Sequence, residues 1–175
     1  MTYLKQKRQS RFNGFTLVEI IIVVVILGIA AMMAVPMFSG AADMQVRAAA
    51  NRLAADLDYA KGLAVTYQKS CSVVFNPANE SYQIQYADGT SVKNPVRPDQ
   101  DYIVSFSTDS NMSRVNIDST DLTDDTVTFD YMGSPYAGLG TTTSLNSGLI
   151  TLKADDFTMT VNIEPMTGYV SISGL

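Results

Sequence analysis

Hydrophobic and polar positions divide the chain into three stretches with different periods. Residues 20–38 form nineteen consecutive positions without a charge, dominated by Ile, Val, Ala and Met. As a helix this run is ~28 Å long, close to the ~30 Å hydrocarbon core of a bilayer, which predicts a transmembrane segment over 15–40. Beyond Gly40 the composition turns amphipathic. Val46, Ala50, Leu53, Leu57, Ala60, Ala64 and Tyr67 recur at steps of four and three, the signature of one buried helix face. A second helical stretch over 41–69 follows, ending near Lys69-Ser70. Asp43 with Arg47, and Arg52 with Asp56, are opposite charges at i,i+4 and read as a solvated face.

From Cys71 onward the period falls to two. Residues 71–75, 81–86, 102–106, 114–117, 127–129, 149–153, 157–163 and 169–172 read as short strands. Turn formers separate them, among them Asn76-Pro77-Ala78-Asn79, Asp88-Gly89, Ala154-Asp155-Asp156 and Glu164-Pro165-Met166-Thr167-Gly168. Residues 131–147 read as a long polar loop. The expected fold is α+β: a long N-terminal helix, half membrane and half amphipathic, packed on one antiparallel sheet domain over 70–175.

Composition narrows the chemistry. A chain of 175 residues supports one compact domain plus a non-globular segment. Its single cysteine, Cys71, cannot close an intrachain disulfide and reads as a small apolar residue opening a strand. There is no histidine, which removes the commonest general base and metal ligand. No lysine or histidine is placed to activate the serines and threonines, so no enzyme, catalytic residue or cofactor is expected. Asp118, Asp121, Asp124 and Asp125 make one acid-rich loop and Asp99 with Asp101 another, but their spacing matches no EF-hand, and no metal ligand is assigned.

Charge is unevenly spread. Lys5, Lys7, Arg8 and Arg11 lie in the first fourteen positions, which hold no acid. Without that piece, 12 − 4 = 8 basic groups face 17 acidic ones, a net of −9. The basic cluster ahead of the apolar run predicts a cytoplasmic amino terminus, by the positive-inside rule. A secretory signal peptide is the competing reading. Against it stand the length of the run, the lack of a small-x-small cleavage site, and Glu19 at its front, since a carboxylate at a bilayer edge costs a few kcal/mol unless paired.

The segment Gly14-Phe15-Thr16-Leu17-Val18-Glu19, after a short basic leader and before an uncharged run containing Pro36, resembles the type III signal of type IV pilins and type II secretion pseudopilins. The resemblance implies that a prepilin peptidase removes residues 1–14 as a leader, cutting between Gly14 and Phe15, and that the new Phe15 amine is methylated. It implies that Glu19 pairs with the terminal amine of a neighbouring subunit, cancelling a buried charge. Pro36, which removes a backbone hydrogen bond, would mark a bend on assembly. The partners implied are other subunits held through the N-terminal helix, the peptidase and methyltransferase, and the bacterial inner membrane, with the C-terminal domain periplasmic.

A second resemblance covers the C-terminal half. Val127-Thr128-Phe129-Asp130-Tyr131-Met132-Gly133-Ser134, then Gly148-Leu149-Ile150-Thr151-Leu152, then Val161-Asn162-Ile163 and Thr167-Gly168-Tyr169, are similar to the GspH/FimT group of minor pseudopilins and minor pilins. It implies a structural subunit of a secretion pseudopilus or pilus, the alternative being a filament-displayed module that captures a ligand such as DNA or a surface. DNA-capturing members carry arginines around the last glycine turn, whereas here Lys153 is the only basic residue after Arg114. Affinity for DNA comes mainly from phosphate neutralisation, so DNA is not an expected partner.

Overall fold

The computed structural model describes residues 15–174, and the side chains of residues 33–39 lie outside that description. One helix, α1 (Leu17–Tyr67), is followed by nine strands. Thr16 starts α1: its Oγ1 accepts the Glu19 N–H at 3.2 Å, while Ile20 N–H bonds to Thr16 O at 3.2 Å. Thr-x-x-Glu is the capping-box spacing, in which a side chain satisfies an amide that the helix itself leaves open. At the other end Gln68 takes φ 52° and Lys69 N–H reaches back to Ala64 O at 3.2 Å, a Schellman closure on a non-glycine residue. This ends the helix two residues before the expected 69.

The chain divides into two compact units, Met1–Phe38 and Ser39–Leu175, and α1 contributes residues to both. The second unit holds β1 (Cys71–Asn76), β2 (Ser81–Tyr86), β3 (Ile103–Ser105), β4 (Asn116–Thr120), β5 (Thr126–Phe129), β6 (Pro135–Ala137), β7 (Leu149–Ala154), β8 (Phe157–Ile163) and β9 (Val170–Ser173). They form not the single sheet expected but two antiparallel ones, ordered β3-β2-β1-β5-β6 and β4-β7-β8-β9. Glu80, just before β2, links them: its Oε2 accepts the Ile117 N–H of β4 at 2.5 Å.

The eight-residue stripe Ala42, Val46, Ala49, Ala50, Leu53, Leu57, Ala60 and Ala64 is wholly buried and shares one core with Val73, Phe75, Tyr82, Ile84, Ile150, Leu152 and Val161 of the sheets. Burying each Leu of the stripe contributes ~1.5–3 kcal/mol. Tyr67, expected on that face, is 64% exposed because the helix ends under it. Cys71 opens β1 fully buried, and burial pushes its thiol up to about 12.

Two local expectations are corrected. β4 begins at Asn116 rather than 114 because Val115 N–H closes a turn on Met112 O and Arg114 N–H donates to Gln45 Oε1 of α1. The stretch 131–147 is not one loop: Pro135–Ala137 pairs with β5 as β6, and Tyr136 bridges Ser144. Its return leg lies over the sheet, where Thr128 Oγ1 donates to Gly138 O at 2.7 Å and contacts Ser72 Oγ at 2.8 Å. Further along, Leu145 is buried with its side chain beside Gly148.

Candidate functional site

Of the sequence-predicted site residues, Phe15 and Glu19 lie at the start of α1. Gly14 lies outside the described residues. Phe15 is 77% exposed and precedes the Thr16 cap, and Glu19 sits in the first turn, exposed, with no cationic partner among the described residues. Pro36 lies within α1, its side chain beyond the description. From Leu17 to Met32 the described apolar side chains stand about half or more exposed on every side of the helix, as with Ile20, Val24, Leu27 and Met32. A helix apolar all round is a buried helix in its working state, covered by lipid or by other helices. Among the described residues no helix carries a run long and apolar enough to cross a membrane; the described side chains of the uncharged run stop at Met32.

Where α1 meets the sheet, the structure reverses one reading. Asp56 is 7% exposed, not part of a solvated face. Its Oδ2 accepts the Tyr82 hydroxyl at 2.6 Å and its Oδ1 the Tyr102 hydroxyl at 2.7 Å, while Arg52 Nε stands 3.7 Å from Oδ2. Both tyrosines keep their protons more tightly than free tyrosine, first through burial and then through the Asp56 carboxylate. The arrangement fastens the helix to β2 and to the residue ahead of β3 with charge-assisted hydrogen bonds. A signal existed in the sequence: Ala49, Leu53, Asp56 and Ala60 are spaced four, three and four, so Asp56 lies on the apolar stripe. Asp43 and Arg47, by contrast, form the solvent-facing pair expected of them.

A second fastening lies further along α1. Lys61 Nζ donates to Thr167 O at 2.9 Å and Gly168 O at 3.1 Å, capping the turn between β8 and β9. That turn needs glycine: Gly168 has φ +61°, and a Cβ there would stand 2.8 Å from Gly133 O. Asp130, itself buried, holds the neighbouring turn by accepting the Met132 and Ser134 amides at 2.9 and 2.8 Å.

Two acids of the acid-rich stretches serve local structure. Asp125 accepts from Thr120, and Asp101 accepts from Lys93 at 2.7 Å. Among the described residues no three acidic or thiol groups gather where a cation could sit.

Comparison with known proteins adds the following. Residues 9–35 match the family model described as the prokaryotic N-terminal methylation motif, and residues 49–167 match the model described as type II transport protein GspH. No protein of curated function matches the sequence. Among solved structures, the chain is similar to two crystal forms of the type IV minor pilin FimU of Pseudomonas aeruginosa. One is 17% identical over 73% of this chain and 87% of that one, with a TM-score of 0.50. The other is 16% identical over 73% and 91%, with a TM-score of 0.49. The first of these likenesses is one of fold.

Proposed function

Because this chain belongs to the family described as type II transport protein GspH, we propose that it is a minor pilin or minor pseudopilin, a structural subunit that works by polymerising and not by catalysis. The observation that carries the proposal is the joining of a methylation motif and a capped, apolar helix to the GspH domain.

In this reading residues 1–14 are a leader, cut between Gly14 and Phe15 by a prepilin peptidase that also methylates the Phe15 amine. Residues 15–40 wait in the inner membrane and later exchange lipid for the helices of sister subunits. The part of α1 after residue 40 and the two sheets stand on the periplasmic side. Glu19, exposed and without a cation beside it, is then the partner of a neighbouring subunit's terminal amine. Pro36 lets the helix bend during that exchange. The acidic balance of the mature chain, −9 by the count above, speaks for protein partners over nucleic acid.

The test is the identity of the mature terminus. The protein isolated from cells with a prepilin peptidase is expected to begin at Phe15 and to be one methyl group heavier than its residues. Gly14→Val is expected to leave the full-length precursor in the membrane fraction. A mature chain beginning elsewhere, or normal processing of the Gly14→Val protein, overturns the assigned junction.

A further inference from the structure

On three touching segments the domain leaves five large apolar side chains to solvent. They are Val65 of α1, Tyr131 and Met132 of the turn after β5, and Met166 and Tyr169 of the turn before β9, exposed by 46% to 86%. We infer that this patch docks against an adjacent subunit of the filament, on a surface of that subunit equally poor in charge. The inference rests on the reading of the chain as a filament subunit, and it adds a contact outside the apolar start of α1.

The first argument is convergence. Apolar residues scattered singly over a surface are ordinary. Here the segments are pinned together: a Cβ on Gly133 would stand 3.1 Å from Lys61 Cε and 3.4 Å from Val65 Cγ2, and one on Gly168 2.8 Å from Gly133 O. Lys61 Nζ is engaged by Thr167 O and Gly168 O, and Asp130 Oδ1 by the Met132 and Ser134 amides. These polar groups hold the backbone of both turns, so docking orders little that is not ordered already. The side chains they present are of the types that interfaces favour, tyrosine for rigid amphipathic area and methionine for adaptable packing.

The second argument is charge. The mature chain carries −9, yet residues 131–134 and 165–169 hold no acidic or basic side chain. Lys61 is taken up by the turn it caps, while Glu164 and, one turn back on α1, Asp58 stand at the border. A basic partner is drawn to the acidic remainder of the surface. Nucleic acid and anionic lipid find no free cation in these two turns. An uncharged, apolar protein surface is the occupant for which this patch is the favourable site.

The third argument is size and symmetry. A patch of this kind spans ~300–600 Å², short of the ~800 Å² that each partner gives up in a stable complex. It therefore holds a neighbour that another contact has already brought in, and in a filament subunit the apolar part of α1 supplies that contact. Growth also requires head-to-tail joints, since one patch meeting itself on a second copy closes into a dimer. The occupant is then a different surface of the adjacent subunit.

The experiment uses the full-length chain in filament-bearing cells. The double variant Met132→Asp/Met166→Asp is expected to mature at Phe15 and, both positions being exposed, to keep the urea unfolding curve of the unaltered protein. Its recovery in sheared filaments is expected to fall at least about fivefold, since a carboxylate forced into an apolar contact finds no partner there. Val96→Asp places the same charge on an 85% exposed residue outside the patch and is expected to leave recovery unchanged. With the photo-crosslinker p-benzoylphenylalanine at Met166, irradiated filaments are expected to yield an adduct to another subunit bearing the methylation motif, mapped by mass spectrometry to a surface other than this patch. Undiminished recovery of the double variant, an equal loss with Val96→Asp, or an adduct joining two copies through the same patch overturns the inference alone. Absence of the unaltered chain from filaments overturns the reading of function and the inference with it.

Discussion

Replacing Asp56 with alanine separates a structural clamp from a surface charge. The carboxylate accepts two tyrosine hydroxyls at 2.6 and 2.7 Å, and Tyr82 is 1% exposed. Hydrogen bonds to a charged group are worth ~1.5–3 kcal/mol each, and removing the shared acceptor strands both hydroxyls in the core. A loss of about 3–5 kcal/mol is expected, a large share of the ~5–15 kcal/mol that holds a typical domain folded. Tyr82→Phe is expected to cost about 1.5–3 kcal/mol, and the Asp56/Tyr82 double-mutant cycle to show coupling above about 0.5 kcal/mol. The assay is urea unfolding of the mature chain in micelles, followed by near-ultraviolet circular dichroism, where tyrosine packing sets the signal. A pH series adds a sign. Folding raises the affinity of Tyr82 and Tyr102 for their protons above the ~10 of an unfolded tyrosine. Their contribution is then complete below about pH 10 and is lost as pH rises through the raised folded values. The double Phe variant is expected to lose that part of the alkaline sensitivity and to keep the part owed to Cys71 and Tyr59, whose protons folding also holds more tightly. If Asp56→Ala costs less than about 1 kcal/mol, the value of an exposed ion pair, the clamp is refuted.

Other expectations follow from single residues. Gln68→Gly relieves a left-handed non-glycine C-cap and is expected to stabilise the domain by about 0.5–1 kcal/mol in the same urea assay; a loss of stability would show that the Gln68 side chain holds the end of the helix. Gly168→Ala is expected to cost about 2 kcal/mol or more, since it adds a left-handed penalty of ~1–2 kcal/mol to a Cβ pressed on Gly133 O; a neutral result would refute the close approach of the two turns. Glu19→Ala is expected to leave the unfolding curve of the Ser39–Leu175 unit unchanged while lowering recovery of the subunit in sheared filaments. Wild-type recovery would remove the charge-pairing role.

The linear chain determined those features whose cause is local. The change of period at Cys71, the stripe from Val46 to Ala64 and the proline and glycine turns are set by residues within a few positions of one another, and the helix and most strands stand within a residue or two of where the pattern put them. The N-terminal motif was readable for the same reason, because Gly14, Phe15 and Glu19 lie within six consecutive positions; the roles proposed for them rest on that motif, to which the structure added the Thr16 cap. Tertiary structure decided the rest. Three-residue β6 has no pattern of its own and exists because β5 offers it an edge. The division into two sheets depends on which strands meet, and pairing partners leave no mark on either strand alone. Asp56 looked like half of a surface pair because its near neighbour is Arg52, whereas the tyrosines that hold it lie 26 and 46 residues away. A charge can be buried only where distant groups arrive to satisfy it, and that arrival is a property of the folded chain.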